Sequence, residues 1–188
     1  MRMIFLLLLA VGYLQPGNLM ADEAFVQESR AMIKAYAQAL RDELQAAIEE
    51  GGPIHAISVC SDKAPTIADD LSQSPQWRIG RTSHKLRNPA NAPDEWEAMV
   101  LDEFQRRAAA GEPIGGIERV EIIESDGGQT YRYMKAIPVG EVCLTCHGVD
   151  LDAELKAKID AVYPEDQATG FALGELRGAF TVTKTPTD

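Results

Sequence analysis

The sequence predicts an α+β fold, with long helices first and an antiparallel sheet after them. Val26, Ile33, Tyr36, Leu40, Leu44 and Ala47 recur at spacings of three, four or seven, the stripe of an amphipathic helix. In the second half, two strand-like runs flank Asp126-Gly127-Gly128-Gln129, a hairpin signal. Helices and strands segregated in this order make an α+β domain, whereas alternation would make a parallel α/β sheet.

Each element has its own signal. Gly51-Gly52-Pro53 stops the first helix, whose stripe serves core packing or a homodimer contact. A second helical stretch starts at Ile54, and Pro65 re-initiates or kinks it before Leu71. Trp77 to Lys85 reads as extended, with Trp77, Ile79 and Arg81 alternating with Arg78 and Gly80. Asn88 to Pro93 is a loop leading to a capped helix in which Trp96, Val100 and Phe104 share a face and which Gly111 ends. Arg119 to Ser125 and Thr130 to Ile137 form the hairpin, and Pro138 and Gly140 break its second strand. Leu151, Leu155 and Ile159 mark a short helix closed by Pro164, and Gly174 to Thr183 is a last strand.

The amino terminus predicts a compartment. Arg2 precedes an apolar run from Met3 to Leu14, and Ala21 offers a small residue for cleavage before Asp22. The run is too short for a membrane span, which needs about 20 apolar residues, and fits a signal peptide over residues 1–21. Residues 22–188 are then a single exported domain, with no later segment long enough to span a membrane. Removing the leader takes away one positive charge, so the net charge moves from −11 to −12. An acidic surface of this size argues against nucleic acid and anionic membranes and is compatible with basic redox partners.

The chemistry sits in Cys143-Leu144-Thr145-Cys146-His147. C-x-x-C-H is the attachment signature of a c-type haem: the two thiols bond the vinyl groups and the histidine presents its imidazole to the iron. Such haem is attached on the outer side of the bacterial inner membrane, in keeping with a periplasmic chain. One covalent haem c is therefore expected on Cys143 and Cys146, with His147 as iron ligand. No βαβ unit surrounds the motif, as a thioredoxin-like C-x-x-C would require. Small electron-transfer cytochromes c carry the motif near their amino end in a nearly all-helical fold; here it follows a hairpin. Candidates for the second axial ligand are Cys60, His55, His84, Met32, Met99 and Met134. Met/His ligation is common, but Met134 lies only nine residues before Cys143 and would struggle to reach the opposite face of the ring. Cys60 is the odd cysteine of an exported chain, which normally pairs or has a task; its bland alternative is a small buried hydrophobe. Arg81, Lys85 and Arg87 could neutralise the haem propionates, with Arg81 and Arg87 as the candidate contacts, or else they form a solvated strand face. Tyr131, Tyr133 and Met134 are expected to pack on the ring.

Many ordered blocks carry a family resemblance, from about Val26 to Val182. They include Val59-Cys60 with Ala64-Pro65, Arg81-Thr82-Ser83, Arg87-Asn88-Pro89, Trp96-Glu97, Tyr133 to Ile137, Cys146-His147-Gly148, Tyr163-Pro164 and Gly178-Ala179-Phe180. In these the chain resembles the PAS-like c-type haem domains, departing at His84, where members often carry leucine. The resemblance implies a PAS-like antiparallel sheet and a haem ligated by histidine and cysteine, in a protein thought to sense redox state or a small molecule. It implies Cys60 as the second ligand, since Val59-Cys60 matches the position whose cysteine binds iron. Iron favours the thiolate, and an anionic ligand holds the potential low. With no kinase, cyclase or methyl-accepting segment after Thr183, a signalling output is expected through a separate protein. The leading expectation is a haem module sensing redox state or a diatomic ligand, ahead of a periplasmic electron carrier. Peroxidase-like catalysis ranks last, because it needs an open distal site with a positioned acid–base group; no enzyme is expected.

Overall fold

In a computed structural model describing residues 16–72, 74–125 and 127–186, the apolar stripe builds a long first helix, α1 (Pro16–Ser58). Gly51 and Gly52 leave helical geometry, Gly52 with φ +74°, so the helix changes direction where the sequence predicts a stop. The helical run then passes through a single π-helical turn, Val59–Lys63, into α2 (Ala64–Leu71), with Pro65 in its first turn. The leader expected over residues 1–21 lies mainly outside the described residues.

The strands are β1 (Trp77–Thr82), β2 (Glu118–Ser125), β3 (Gly128–Pro138) and β4 (Leu176–Lys184). They form one antiparallel sheet in the order β1-β4-β3-β2. The expected hairpin is β2–β3, in register from Glu118 opposite Lys135 to Ser125 opposite Gly128. β1 stops three residues earlier than the sequence suggests. There the Ser83 hydroxyl donates to the Arg177 carbonyl at 2.8 Å and accepts from the Lys85 amide at 3.1 Å, turning the chain away from the sheet.

Side chains alternate across a strand, so each face of the sheet takes a different helix. Met134, Ala136 and Ala179 face α3 (Glu95–Ala109) and bury Trp96, Val100, Leu101 and Phe104. Asp94 caps that helix, accepting from the Glu97 amide at 2.8 Å while the Glu97 carboxylate accepts from the Asp94 amide at 3.1 Å. Ile79, Tyr133 and Val182 face the other way and pack on Phe25, Ile33 and Tyr36 of α1. Each large apolar side chain fully buried in these layers stabilises the fold by about 1.5–3 kcal/mol. The α+β fold with long helices ahead of an antiparallel sheet is therefore as the sequence predicts. After β3 come two short helices, α4 (Glu141–His147) and α5 (Ala153–Val162). α5 packs Leu155, Ile159 and the following Tyr163 against Ile57 near the end of α1. Among the described residues, no helix is long and apolar enough to cross a membrane.

Candidate haem site

The C-x-x-C-H segment is itself helical: α4 opens after Gly140 and ends on His147. One turn of helix places positions i and i+3 on the same side, so Cys143 and Cys146 both face one cavity. At Gly148 the chain turns so tightly that a Cβ would press on the Leu144 carbonyl oxygen at 2.5 Å, which explains why glycine follows the motif. Segment 168–171 then runs alongside. Ala168 accepts from His147 Nδ1 at 2.6 Å, Phe171 N donates to the His147 carbonyl at 3.0 Å, and Gly170 N donates to that of Gly148 at 2.9 Å. A carbonyl only accepts, so Nδ1 carries the proton and Nε2 keeps its lone pair. Burial, reinforced by Arg177 and Arg87, holds His147 down at about 3, so its imidazole is neutral. A neutral, oriented imidazole with a free Nε2 is what an iron ligand requires.

The cavity, about 240 Å³, lies on the α1 side of the sheet between the end of α1 and α4. Leu44, Ile48, Ala56 and Ile57 give it an apolar wall from the long helix. Cys60, in the π-helical turn, lines the same cavity as Cys143, Cys146 and His147. Turns of this type are rare and often sit at functional positions. None of the three cysteines is joined by a disulfide. Burial pushes the Cys146 thiol up, against the lowering effect of Arg87.

The other candidate axial ligands lie elsewhere. His84 Nε2 is 3.0 Å from Asp102 Oδ1, and His55 Nε2 is 3.5 Å from Glu50 Oε2, both on half-exposed side chains. Met32 packs in the α1 layer and Met99 is exposed. Met134 is fully buried among Trp96, Phe104 and Ile117 on the opposite face of the sheet. The expectation that Tyr131, Tyr133 and Met134 wall the site is therefore overturned. Tyr131 and Tyr133 are taken up by the α1 layer near Phe25, and Ile137 is the β3 residue that reaches the cavity. The strand phase places Ile137 and Tyr133 on one face; what the phase leaves open is how far along the strand the α1 layer extends.

Arg81 and Arg87 both line the cavity. Arg87 is heavily engaged: it holds Asp166 at 3.0 and 3.1 Å and donates to the Cys146 carbonyl at 2.6 Å and the Ala168 carbonyl at 3.3 Å. It thereby ties α4 to the segment that orients His147. Sequence reasoning missed Arg177, which enters the same wall from β4. The next residue, Gly178, has φ +154°, and a Cβ there would collide with the Thr82 carbonyl oxygen, so glycine lets β4 approach β1 at the rim.

The residues fit a porphyrin on the chain's own features: an apolar wall, two thiols on one helical turn, an oriented neutral imidazole and a buried Arg81 Nε with no acceptor. Among the described residues, no group of three His, Cys, Asp or Glu side chains converges to hold a bare metal ion.

None of the curated proteins is similar enough to match this chain. Among solved structures, the crystal structure of the cyanobacterial heme-protein Tll0287 is similar at a TM-score of 0.60 and 22% identity, over 93% of this chain and 98% of that one. At that identity the likeness is one of fold. The model of the Tll0287-like family matches residues 18–185, nearly the whole described chain, and on that match the chain belongs to the Tll0287-like family.

Proposed function

We propose that the protein is an exported, periplasmic c-type haem protein that senses redox state or a small diatomic ligand. The observation that carries this is the shared cavity: Cys60 stands on the same wall system as Cys143, Cys146 and His147, and the other candidate ligands among the described residues do not. In this reading Cys143 and Cys146 hold the porphyrin through thioether bonds. His147 and Cys60 would hold its iron, the imidazole coming from α4 and the thiolate from the π-helical turn. Haem so bound supplies a one-electron ferric/ferrous couple and an iron centre able to exchange a labile ligand. Ala168 keeps the His147 tautomer fixed, and the thiolate stabilises the ferric state. The protein is read as a binding module and not an enzyme, because His55 and His84, the remaining imidazoles, are paired outside the cavity.

The test is a set of oxidised and reduced spectra, with and without carbon monoxide, on chain matured in a periplasm with the haem-attachment machinery. One haem should survive acid–acetone extraction, with a low-spin ferric spectrum of thiolate/imidazole type. In Cys60→Ala the covalent haem should remain while that spectrum is lost. An unchanged spectrum and potential in Cys60→Ala, with changes in Met134→Ala or His84→Ala, overturns the ligand assignment. A second reading, a periplasmic electron-transfer cytochrome, draws on Val142, which lines the cavity yet is 57% exposed and so leaves an edge of the site near solvent. Fast electron exchange that keeps both ligands, with no carbon monoxide adduct, favours that reading.

A further inference from the structure

The cavity wall is cationic in an acidic protein. Arg81, Lys85, Arg87 and Arg177 line it and, among the described residues, no Asp or Glu side chain does, although the chain has 29 acidic and 18 basic residues. A buried guanidinium is costly without a partner. Arg87 has Asp166. Lys85 donates to the Thr169 carbonyl at 3.3 Å and lies 4.6 Å from the centre of the Phe171 ring. Arg81 and Arg177 are, among the described residues, the two cavity guanidiniums that meet no carboxylate, and the Arg177 guanidinium shares the Phe171 ring with Lys85, 5.3 Å from its centre. Arg81 Nε is buried without an acceptor, and its guanidinium lies 5.8 Å from the Tyr36 ring centre. Arg177 donates to the Lys85 carbonyl at 3.2 Å. Its burial, with Arg87 and Arg81 close by, pulls it down to about 10. Cations crowded in this way lower one another's stability unless an anion sits among them.

We infer that Arg81 and Arg177 form an anion-binding pair for the two propionates of a porphyrin. The inference rests on the haem reading above and sharpens it. Two guanidiniums lack a carboxylate, a haem brings two, and guanidinium matches carboxylate through paired hydrogen bonds. Arg87, which the sequence suggests for this role beside Arg81, is committed to Asp166, and Arg177 takes its place.

The test uses the matured holoprotein, with mass spectrometry to report haem loading and the midpoint potential followed against pH to report propionate ionisation. Cys60, Lys85 and Tyr163 also face the cavity, and Asp166 stands behind Arg87; all are retained in every variant. Arg81→Gln and Arg177→Gln should each raise the propionate-linked inflection by about one pH unit, since removing a nearby cation disfavours the ionised carboxylate. Arg177→Lys should move it less, because the charge stays. A loaded protein whose inflection is unmoved in both glutamine variants overturns the assignment alone. A wild-type chain isolated without haem overturns the haem reading, and this assignment falls with it.

Discussion

Arg87 and Asp166 show how a single pair can carry a site. Asp166 is 3% and Arg87 11% exposed, and both touch the segment that orients His147. Removing one partner leaves a buried charge unmatched, so Arg87→Gln or Asp166→Leu should destabilise the fold by about 3–5 kcal/mol, read from urea unfolding. Replacing both with apolar residues should recover much of that loss. At this scale the sequence is legible where chemistry forces a pattern: Cys143, Cys146 and His147 declare themselves, and Cys60 stands out as the unpaired thiol. Arg177 leaves no such mark. A basic residue at the start of a strand looks like any solvated edge residue, and it gains meaning only because β4 runs beside β1. Met134 misleads for a similar reason, since nearness in sequence to the motif does not say which face of the sheet a strand residue takes.

Among the elements, β2 is tied to its neighbours through Glu118. Its carboxylate accepts from Arg30 of α1 and from the Tyr133 hydroxyl of β3, with Lys135 Nζ 3.6 Å away. The Arg30 hydrogen bond above all, and then that of Tyr133, hold its carboxyl down at about 2 despite partial burial. A carboxyl depressed in the folded state contributes stability that is complete above its ordinary value of 4.5 and drains away as pH falls toward 2. In urea unfolding between pH 6 and 2, Glu118→Gln should flatten that part of the acid slope while changing little at pH 2. For α3, Asp94→Ala should cost about 1 kcal/mol by breaking the capping box, measured in the same way at neutral pH. Element types were readable because period and turn residues agree: the α1 stripe, the Gly51-Gly52-Pro53 break and the β2–β3 hairpin all appear where expected. Their exact limits were not, and neither was the π-helical turn, because one extra residue between Val59 and Ala64 does not disturb any apolar pattern.

Over the whole molecule, the cavity is assembled from distant parts of the chain: the end of α1, the rim of β1, the motif of α4 and the start of β4. Composition announced an acidic protein but could not show that four of its cations, Arg81, Lys85, Arg87 and Arg177, meet in one cavity wall, since that meeting follows from sheet order and not from local sequence. The turn at Val59–Lys63 has a consequence at the same scale. It amounts to an α-helix carrying one residue too many. Dropping Ser61 would restore an ordinary ladder and rotate one side of the join by about 100° against the other. α2 is anchored, with Ile67, Ala68 and Leu71 packed in the α1 layer and Tyr36 donating to the Ala64 carbonyl at 3.2 Å. The rotation must then be taken up at the end of α1, swinging the thiol of residue 60 out of the wall. A one-residue deletion should thus yield a chain with a more regular helix and the spectrum of the Cys60→Ala protein, although every candidate ligand is still present: the surplus residue is what aims the sulfur.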